Sequence, residues 1–153
     1  TNDDSGAISC REKVTIIDST INNCSALWEA GAIRGTIVEI NNSTISNCSS
    51  GEAGGSGGAV FATESVSVTD SSFLNNTATA FGGAIYSEGV VNVFSTSEGF
   101  CTSFVENTSG GAGGAIYSTG KIEIKTETLG DGTEQEKFTT KFSGIILYII
   151  YRY

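Results

Sequence analysis

A short glycine-rich unit recurs along the chain and limits the folds that are open to it. The unit is Gly-Gly-Ala followed by Val or Ile, and it starts at Gly57, Gly82 and Gly113, with weaker copies at Gly31 and Gly6. The alanines stand at positions 7, 32, 59, 84 and 115, so the steps are 25, 27, 25 and 31 residues. Self-similarity at such a period is typical of solenoids, in which each repeat forms one structural unit.

A second unit follows at a matching interval. It places Ile or Phe three residues before Cys or Asn, and its copies are Ile21 to Cys24, Ile45 to Cys48, Phe73 to Asn76 and Phe104 to Asn107. A short run of alternating Val, Ile or Thr lies between the two units in each repeat. Alternation of this kind indicates strands with one buried face.

Three short strands in about 25 residues leave no room for a helix. The repeat therefore predicts an all-β protein, a right-handed parallel β-helix (solenoid) of about five coils with three strands per coil, over residues 1–124. The structural positions expected to repeat in it are Gly58, Ala59, Gly83, Ala84, Gly114, Ala115, Phe73, Asn76, Phe104 and Asn107.

Each repeated residue type suits one position in stacked coils. The glycines fit a tight corner with positive φ, and the alanine fits a crowded inward position. Phe73 and Phe104 are expected to stack in the core, and Asn76 and Asn107 are expected to form a ladder of side-chain amides. Asp18, Asn42 and Asp70, each followed by Ser, are expected to form turns in which the side chain bonds the backbone two residues on.

Cys24 and Cys48 occupy the position that Asn holds in later repeats. We expect them to be neighbours in adjacent coils, where they either stay reduced or form a disulfide. Adjacent strands bring Cα atoms within the range of about 4.4–6.8 Å that a disulfide requires.

The last residues, 125–153, depart from the repeat. Asp131-Gly132 between two alternating runs predicts a hairpin, and the apolar run 145–153 is too short for a transmembrane helix, which needs about 20 residues. This run is interpreted as a strand that caps the solenoid, as the stub of a longer chain, or as a frameshifted end.

The composition excludes several classes of function. The net charge is −9, and Arg34 is the only basic residue between Lys13 and Lys121, so nucleic-acid binding is not expected. With no His and no Cys-x-x-Cys, neither a metal site nor a cofactor is expected. Asp18 and Asp70, two coils or about 9–10 Å apart, could serve a polysaccharide lyase or hydrolase, but turn formation explains them better, so an enzyme is not expected.

The 31-residue step contains an insertion at one corner of the solenoid. Its residues are Ser95, Thr96, Ser97, Glu98 and Gly99, followed by Phe100. Insertions of this kind often carry specificity, so these five residues are predicted to contact a partner.

The two units together resemble the polymorphic outer membrane proteins of chlamydial type. The resemblance rests on Gly-Gly-Ala-[Ile/Val] alternating in register with Phe73-Leu74-Asn75-Asn76 and Phe104-Val105-Glu106-Asn107, and it covers roughly residues 6–124. Those proteins are autotransporters with a β-helix passenger. The first two coils depart from the family pattern because they carry Ile-x-x-Cys, and the chain has no room for the translocating barrel.

The resemblance implies a passenger fragment of an adhesin, displayed outside the cell or on its outer membrane. Its expected partner is a host surface protein or glycan, reached through the solenoid face, with the membrane involved only through a missing barrel or anchor. A passive stalk is the alternative.

Overall fold

A computed structural model describes residues 5–51, 54–96 and 101–126, together with the backbone of short strands at 141–143 and 148–149. This part of the chain contains β-strands, turns and bends but no helix, and hence no apolar helix that could span a membrane. All pairings between its strands are parallel. The predicted parallel β-solenoid is therefore confirmed.

The strands repeat in coil order. The first coil has β1 (Ile8–Ser9), β2 (Lys13–Ile17), β3 (Thr20–Asn22) and β4 (Ser25–Ala26). The second has β5 (Ile33–Asn41), β6 (Thr44–Ser46) and β7 (Ser49–Ser50), and the third has β8 (Val60–Thr69), β9 (Ser72–Leu74) and β10 (Thr77–Ala78). The fourth has β11 (Ile85–Ser87), β12 (Val90–Ser95), β13 (Ser103–Val105) and β14 (Thr108–Ser109). The remaining strands are β15 (Ile116–Ser118), β16 (Ile122–Thr126), β17 (Lys141–Ser143) and β18 (Tyr148–Ile149).

The solenoid makes about four complete turns, close to the five predicted, and each turn has one strand more than expected. The extra strand follows the Phe-x-x-Asn unit, and its four copies form a sheet in the order β14-β10-β7-β4. Each copy is only two residues long, too short to show alternation. In the second and third coils the first two predicted strands are joined into one, because β5 and β8 each run without a break from the glycine-rich unit through the alternating run.

The tail adds strands to the stack. β17 pairs in parallel with β13, and β18 pairs in parallel with β15. The predicted hairpin around Asp131 and Gly132 lies outside the described residues.

The core consists of columns of equivalent residues. Ile33, Val60, Ile85 and Ile116 are register partners from coil to coil and are fully buried. Phe73 and Phe104 stack with ring centroids 4.9 Å apart and planes 4° from parallel, which matches the spacing of about 4.8 Å between strands. Ile21, in the same column at the open first coil, is only partly buried.

Each of the three residues of Gly-Gly-Ala has a different structural role. The first glycine has positive φ, 66° at Gly82 and 71° at Gly113, a conformation that L side chains rarely adopt. The second glycine lies against the next coil, since a Cβ on Gly83 would be 2.0 Å from the carbonyl oxygen of Gly114. The alanine points inward and is fully buried at Ala59, Ala84 and Ala115.

We expect Gly83→Ala to lower the free energy of unfolding by about 1–3 kcal/mol or more, because backbone from the next coil occupies the space that a methyl group needs. Gly51→Ala is the matched control. Its Cβ would meet only the carbonyl oxygen of Ala26, at 3.4 Å, so its effect should stay within about 0.5 kcal/mol. Urea unfolding followed by circular dichroism measures both, and equal midpoints for the two variants would contradict this account of the motif.

Candidate functional site

The corner between the second and third strands of each coil is built from a repeated polar pair. Asp18, Asn42 and Asp70 have φ of 48°, 44° and 46°, a left-handed conformation that Asp and Asn tolerate better than most residues. The turn hydrogen bonds belong to the serine that follows, which corrects the expected role of the Asp and Asn side chains. The Ser43 hydroxyl donates to the carbonyl of Asn41 at 2.7 Å and accepts the Ser19 N–H at 3.0 Å, so the serines link successive coils.

These corners line a shallow, open cleft of about 300 Å³. Its lining is wholly polar and comprises Asp18, Ser19, Thr20, Asn42, Ser43, Thr44, Asp70 and Ser72. Asn42 Nδ2 donates to Asp18 Oδ1 at 2.7 Å, and Asp70 accepts the Thr96 N–H at 2.8 Å and its hydroxyl at 2.5 Å. Both carboxylates thus act as hydrogen-bond acceptors for neutral neighbours within the corner. Nowhere in the described ranges do three His, Cys, Asp or Glu side chains converge on a metal site.

The predicted binding loop begins at this same corner in the fourth coil. Ser95 is fully buried and its hydroxyl accepts the N–H of Thr102 at 3.0 Å, so it anchors the loop and presents no side chain to a partner. Thr96 is exposed and fastens the loop to Asp70. The other three loop residues, Ser97, Glu98 and Gly99, lie outside the described part of the chain.

The asparagine ladder lies inside the next corner. Asn107 Oδ1 accepts both the backbone N–H and the side-chain amide of Asn76, at 3.0 and 2.9 Å. Asn76 Oδ1 in turn accepts the N–H of Cys48 at 3.0 Å, and its amide donates to the carbonyl of Ile45 at 3.0 Å. Both asparagines are essentially buried, so they satisfy backbone groups that water does not reach.

Cys24 and Cys48 continue this column as free thiols. They directly precede Ser25 and Ser49, which are register partners, so they are neighbours in adjacent coils. The Cys48 thiol donates to the carbonyl of Ser46 at 3.1 Å and is buried. The pKa of this thiol is raised to about 11, mainly by burial; a hydrogen bond with the Cys24 backbone opposes the rise and the charge of Cys24 adds to it.

A column of large side chains that the sequence reasoning missed lies on the outside of the first sheet. The residue after Gly-Gly-Ala-[Ile/Val] is Phe61, Tyr86 or Tyr117, and Arg34 follows the weaker copy at Gly31. These four residues, which we call the aromatic strip, are register partners. Ring centroids are 4.8 Å apart from Phe61 to Tyr86 and 5.4 Å from Tyr86 to Tyr117. An aromatic residue at a fixed step after three copies of the motif is a signal that could have revealed the strip.

Every ring in the aromatic strip packs against planar neighbours. The Arg34 guanidinium lies 5.7 Å from the centroid of Phe61, and Phe81 stacks on Tyr117 at 4.8 Å. Tyr86 lies between the other two rings. Phe61 and Tyr117 are only 5% and 9% exposed and Tyr86 is half-buried, so the strip is largely covered from solvent.

Three exposed apolar side chains border the strip, and we call them the outer patch. Leu27, Trp28 and Phe81 are 47%, 54% and 39% exposed. All three lie in turns that lead into the first sheet. Gly55 lies between Trp28 and Phe81, because a Cβ on Gly55 would be 2.5 Å from the carbonyl oxygen of Trp28, and the Gly55 carbonyl accepts the N–H of Ala80. Trp28 and Phe81 are thus two coils apart, about 9–10 Å.

Carboxylates lie around the aromatic strip. Glu29 accepts from Arg34 Nε at 3.0 Å. The pKa of Tyr86 is raised mainly by burial and further by the charges of Glu88 and Glu29. Glu64 and Glu88, both exposed, stand at the opposite end of the strands from the outer patch.

Comparison with known families matches two segments, residues 70–88 and 102–119, to the Chlamydia polymorphic membrane protein repeat. Each runs from the Phe-x-x-Asn strand to the strand that carries the aromatic strip, so the predicted family resemblance is confirmed at the third-to-fourth and fourth-to-fifth turns. Neither the comparison with curated proteins nor that with solved structures gives a significant match.

The raised pKa of Cys48 predicts slow alkylation of the folded protein at this thiol. Because the thiolate is the reactive form, a pKa raised from 9.0 to about 11 lowers the reactive population on the order of a hundredfold at pH 8. Iodoacetamide labelling followed by peptide mass spectrometry should therefore modify partly exposed Cys10 long before Cys48, and unfolding in urea should abolish the difference. Equal labelling rates in the folded protein would show that Cys48 is not buried.

Proposed function

We propose that this solenoid is the adhesive module of a surface-exposed polymorphic membrane protein and that it acts by contact, with no chemistry of its own. The observation that carries the proposal is the outer patch, where a Trp, a Leu and a Phe are exposed in turns that lead into the same sheet. The other exposed large apolar side chains of the described residues, Ile17, Val90 and Ile124, lie elsewhere on the coils. Exposed apolar clusters rimmed by polar residues are typical of interaction sites, and Trp is enriched among the residues that dominate binding energy.

The partner class is a host surface protein or glycan, and the protein stands outside the cell or on its outer membrane. Support comes from the family of the two repeats and from the open geometry of the solenoid, whose stacked strands offer a long face to an extended partner. The polar cleft supports no reaction in this proposal, because Asp18 and Asp70 are occupied by Asn42 and Thr96. The insertion at 95–99 remains a predicted specificity element, with Thr96 as its exposed anchor.

The purified chain, coupled to fluorescent beads, should bind to cultured epithelial cells, and Trp28→Ala or Phe81→Ala should weaken that binding roughly tenfold or more. Truncation of a residue central to an interface costs about 2 kcal/mol or more, which corresponds to this loss. Ile17→Ala is the matched control, since Ile17 is equally exposed at 56% but lies at the polar corner.

Two outcomes would count against the proposal. A chain that binds no cell type above beads alone would favour the passive stalk. Equal binding by the Trp28, Phe81 and Ile17 variants would place the contact elsewhere on the solenoid. Thermal unfolding of each variant shows whether a loss of binding reflects a loss of fold.

A further inference from the structure

We propose that Cys24 and Cys48 form a disulfide when the protein meets a low-molecular-weight disulfide, and that this bond fastens the turn carrying Leu27 and Trp28 to the solenoid. The proposal takes from the proposed function only that the protein stands outside the cell, where disulfides form and persist. It follows from the register of the two cysteines, from their unequal exposure, and from the place of Cys24 at the open end of the stack.

The register brings the two thiols together. Cys24 and Cys48 directly precede Ser25 and Ser49, which are partners in adjacent parallel strands. The carbonyl of Cys24 accepts the N–H of Ser49 at 2.9 Å, and the Cys48 sulfur makes hydrogen bonds with both the backbone and the side chain of Cys24. Equivalent positions in adjacent coils lie about 4.8 Å apart, within the Cα separation of about 4.4–6.8 Å that a disulfide spans.

The other two cysteines have no partner at this distance along the stack. Cys10 lies between β1 and β2 of the first coil, and Cys101 lies between β12 and β13 of the fourth. Three coil steps, roughly 14 Å, separate Cys101 from the coil that holds Cys10 and Cys24. A bond to Cys101 from either of them would therefore require the coils to unfold.

The unequal exposure of the pair sets the order of the reaction. Cys24 is partly exposed, whereas Cys48 is 1% exposed. The Cys24 thiolate attacks one sulfur of the external disulfide, forms a mixed disulfide and releases one small thiolate. The Cys48 thiolate then attacks the Cys24 sulfur, closes the protein disulfide and releases the second small thiolate. The two cysteines are oxidised, the external disulfide is reduced to two thiols, and the protons that the cysteines lose go to the two leaving thiolates.

Burial makes closure by Cys48 the slow step. Its pKa, raised to about 11, keeps its thiolate scarce at pH 8. Below that pKa each pH unit multiplies the thiolate population by about ten, so closure should be about tenfold faster at pH 9 than at pH 8. The mixed disulfide on Cys24 should therefore persist longer at the lower pH.

The first coil is the less supported side of the bond. Val14 and Ile16 keep 7% and 9% of their surface exposed, while their register partners Val38 and Ile40 in the second coil are fully buried. Segments with fewer buried apolar contacts open at lower cost than the rest of a structure. The end coil is therefore the part of the described stack that gains most from a covalent tie.

The tie would act directly on the outer patch. β4 is the end strand of its sheet, and its pairing within the described residues is with the two-residue strand β7. Cys24 immediately precedes β4, and Leu27 and Trp28 immediately follow it. A bond from Cys24 to the second coil thus holds the strand from which these two side chains project.

Oxidised glutathione is the probe, applied to the reduced, folded full chain at pH 8 and pH 9 and quenched at intervals with N-ethylmaleimide. A protease that cleaves after Glu places the four cysteines in four peptides, 1–12, 13–29, 40–52 and 99–106. Mass spectrometry without reduction should find glutathione on peptide 13–29 first, and then peptides 13–29 and 40–52 joined, with joining about tenfold faster at pH 9. Cys48→Ser should retain glutathione on Cys24 without closure, and Cys10→Ser, the matched control, should close normally.

The effect on the outer patch is measured by urea unfolding followed through Trp28, the single tryptophan of the chain. Oxidation should move this transition upward by about 1 M urea or more in the natural chain and in Cys10→Ser, but not in Cys48→Ser. A bond from Cys24 to Cys10 or Cys101, glutathione that stays on Cys24 at pH 9 without closure, or no reaction at all would overturn the proposal. An unchanged Trp28 transition after the bond has formed would also overturn it. The adhesive function is tested separately, by the cell-binding variants.

Discussion

Stacking of each residue on its own counterpart, at about 4.8 Å along the solenoid, is the constraint on which the rest of this structure depends. A side chain in a parallel coil meets the equivalent side chain of the next coil, so each position must be compatible with a copy of itself. Phe73 on Phe104 satisfies this by ring stacking, and Asn76 on Asn107 satisfies it because an amide both donates and accepts. Apolar side chains satisfy it in the core, where Val66, Val68, Val91 and Val93 are fully buried. A column of buried carboxylates could not stack on copies of itself, since like charges at that spacing repel.

The same constraint explains why so much of the fold could be predicted from the sequence. A position that must match its copies carries the same residue type in successive repeats. The Gly-Gly-Ala, Phe and Asn columns could all be recognised in this way. The features that were not predicted, the fourth strand and the donors of the turn hydrogen bonds, do not require a repeated residue type. The fourth strand of each coil has only two residues, such as Thr77–Ala78, and its backbone pairing is indifferent to side-chain type. The turn bonds could be assigned to Asp or to Ser from the sequence alone, because both side chains close short polar turns.

Exceptions within the columns show which part of the constraint is strict. Ala30 takes the place of the first glycine with a φ of 47°, so that position requires a backbone conformation that Ala reaches only with strain. Cys48 replaces Asn; its thiol donates to the carbonyl of Ser46 in its own coil, and its N–H donates to the side-chain oxygen of Asn76 in the next coil. At the second glycine, where Gly31, Gly58 and Gly83 each face the carbonyl oxygen of the next coil, all positions remain Gly.

The outer column after Gly-Gly-Ala-[Ile/Val] was the hardest part to predict because it obeys the stacking constraint with unlike residues. Arg34, Phe61, Tyr86 and Tyr117 stack on one another, since a guanidinium is as flat as an aromatic ring and is attracted to its face. The position requires a planar side chain, not one particular residue type. The residue therefore varies between repeats while the stacked geometry is kept. A column of this kind can change its surface chemistry from coil to coil without unfolding the solenoid. The residue types of the aromatic strip can therefore differ between repeats while the core stays fixed.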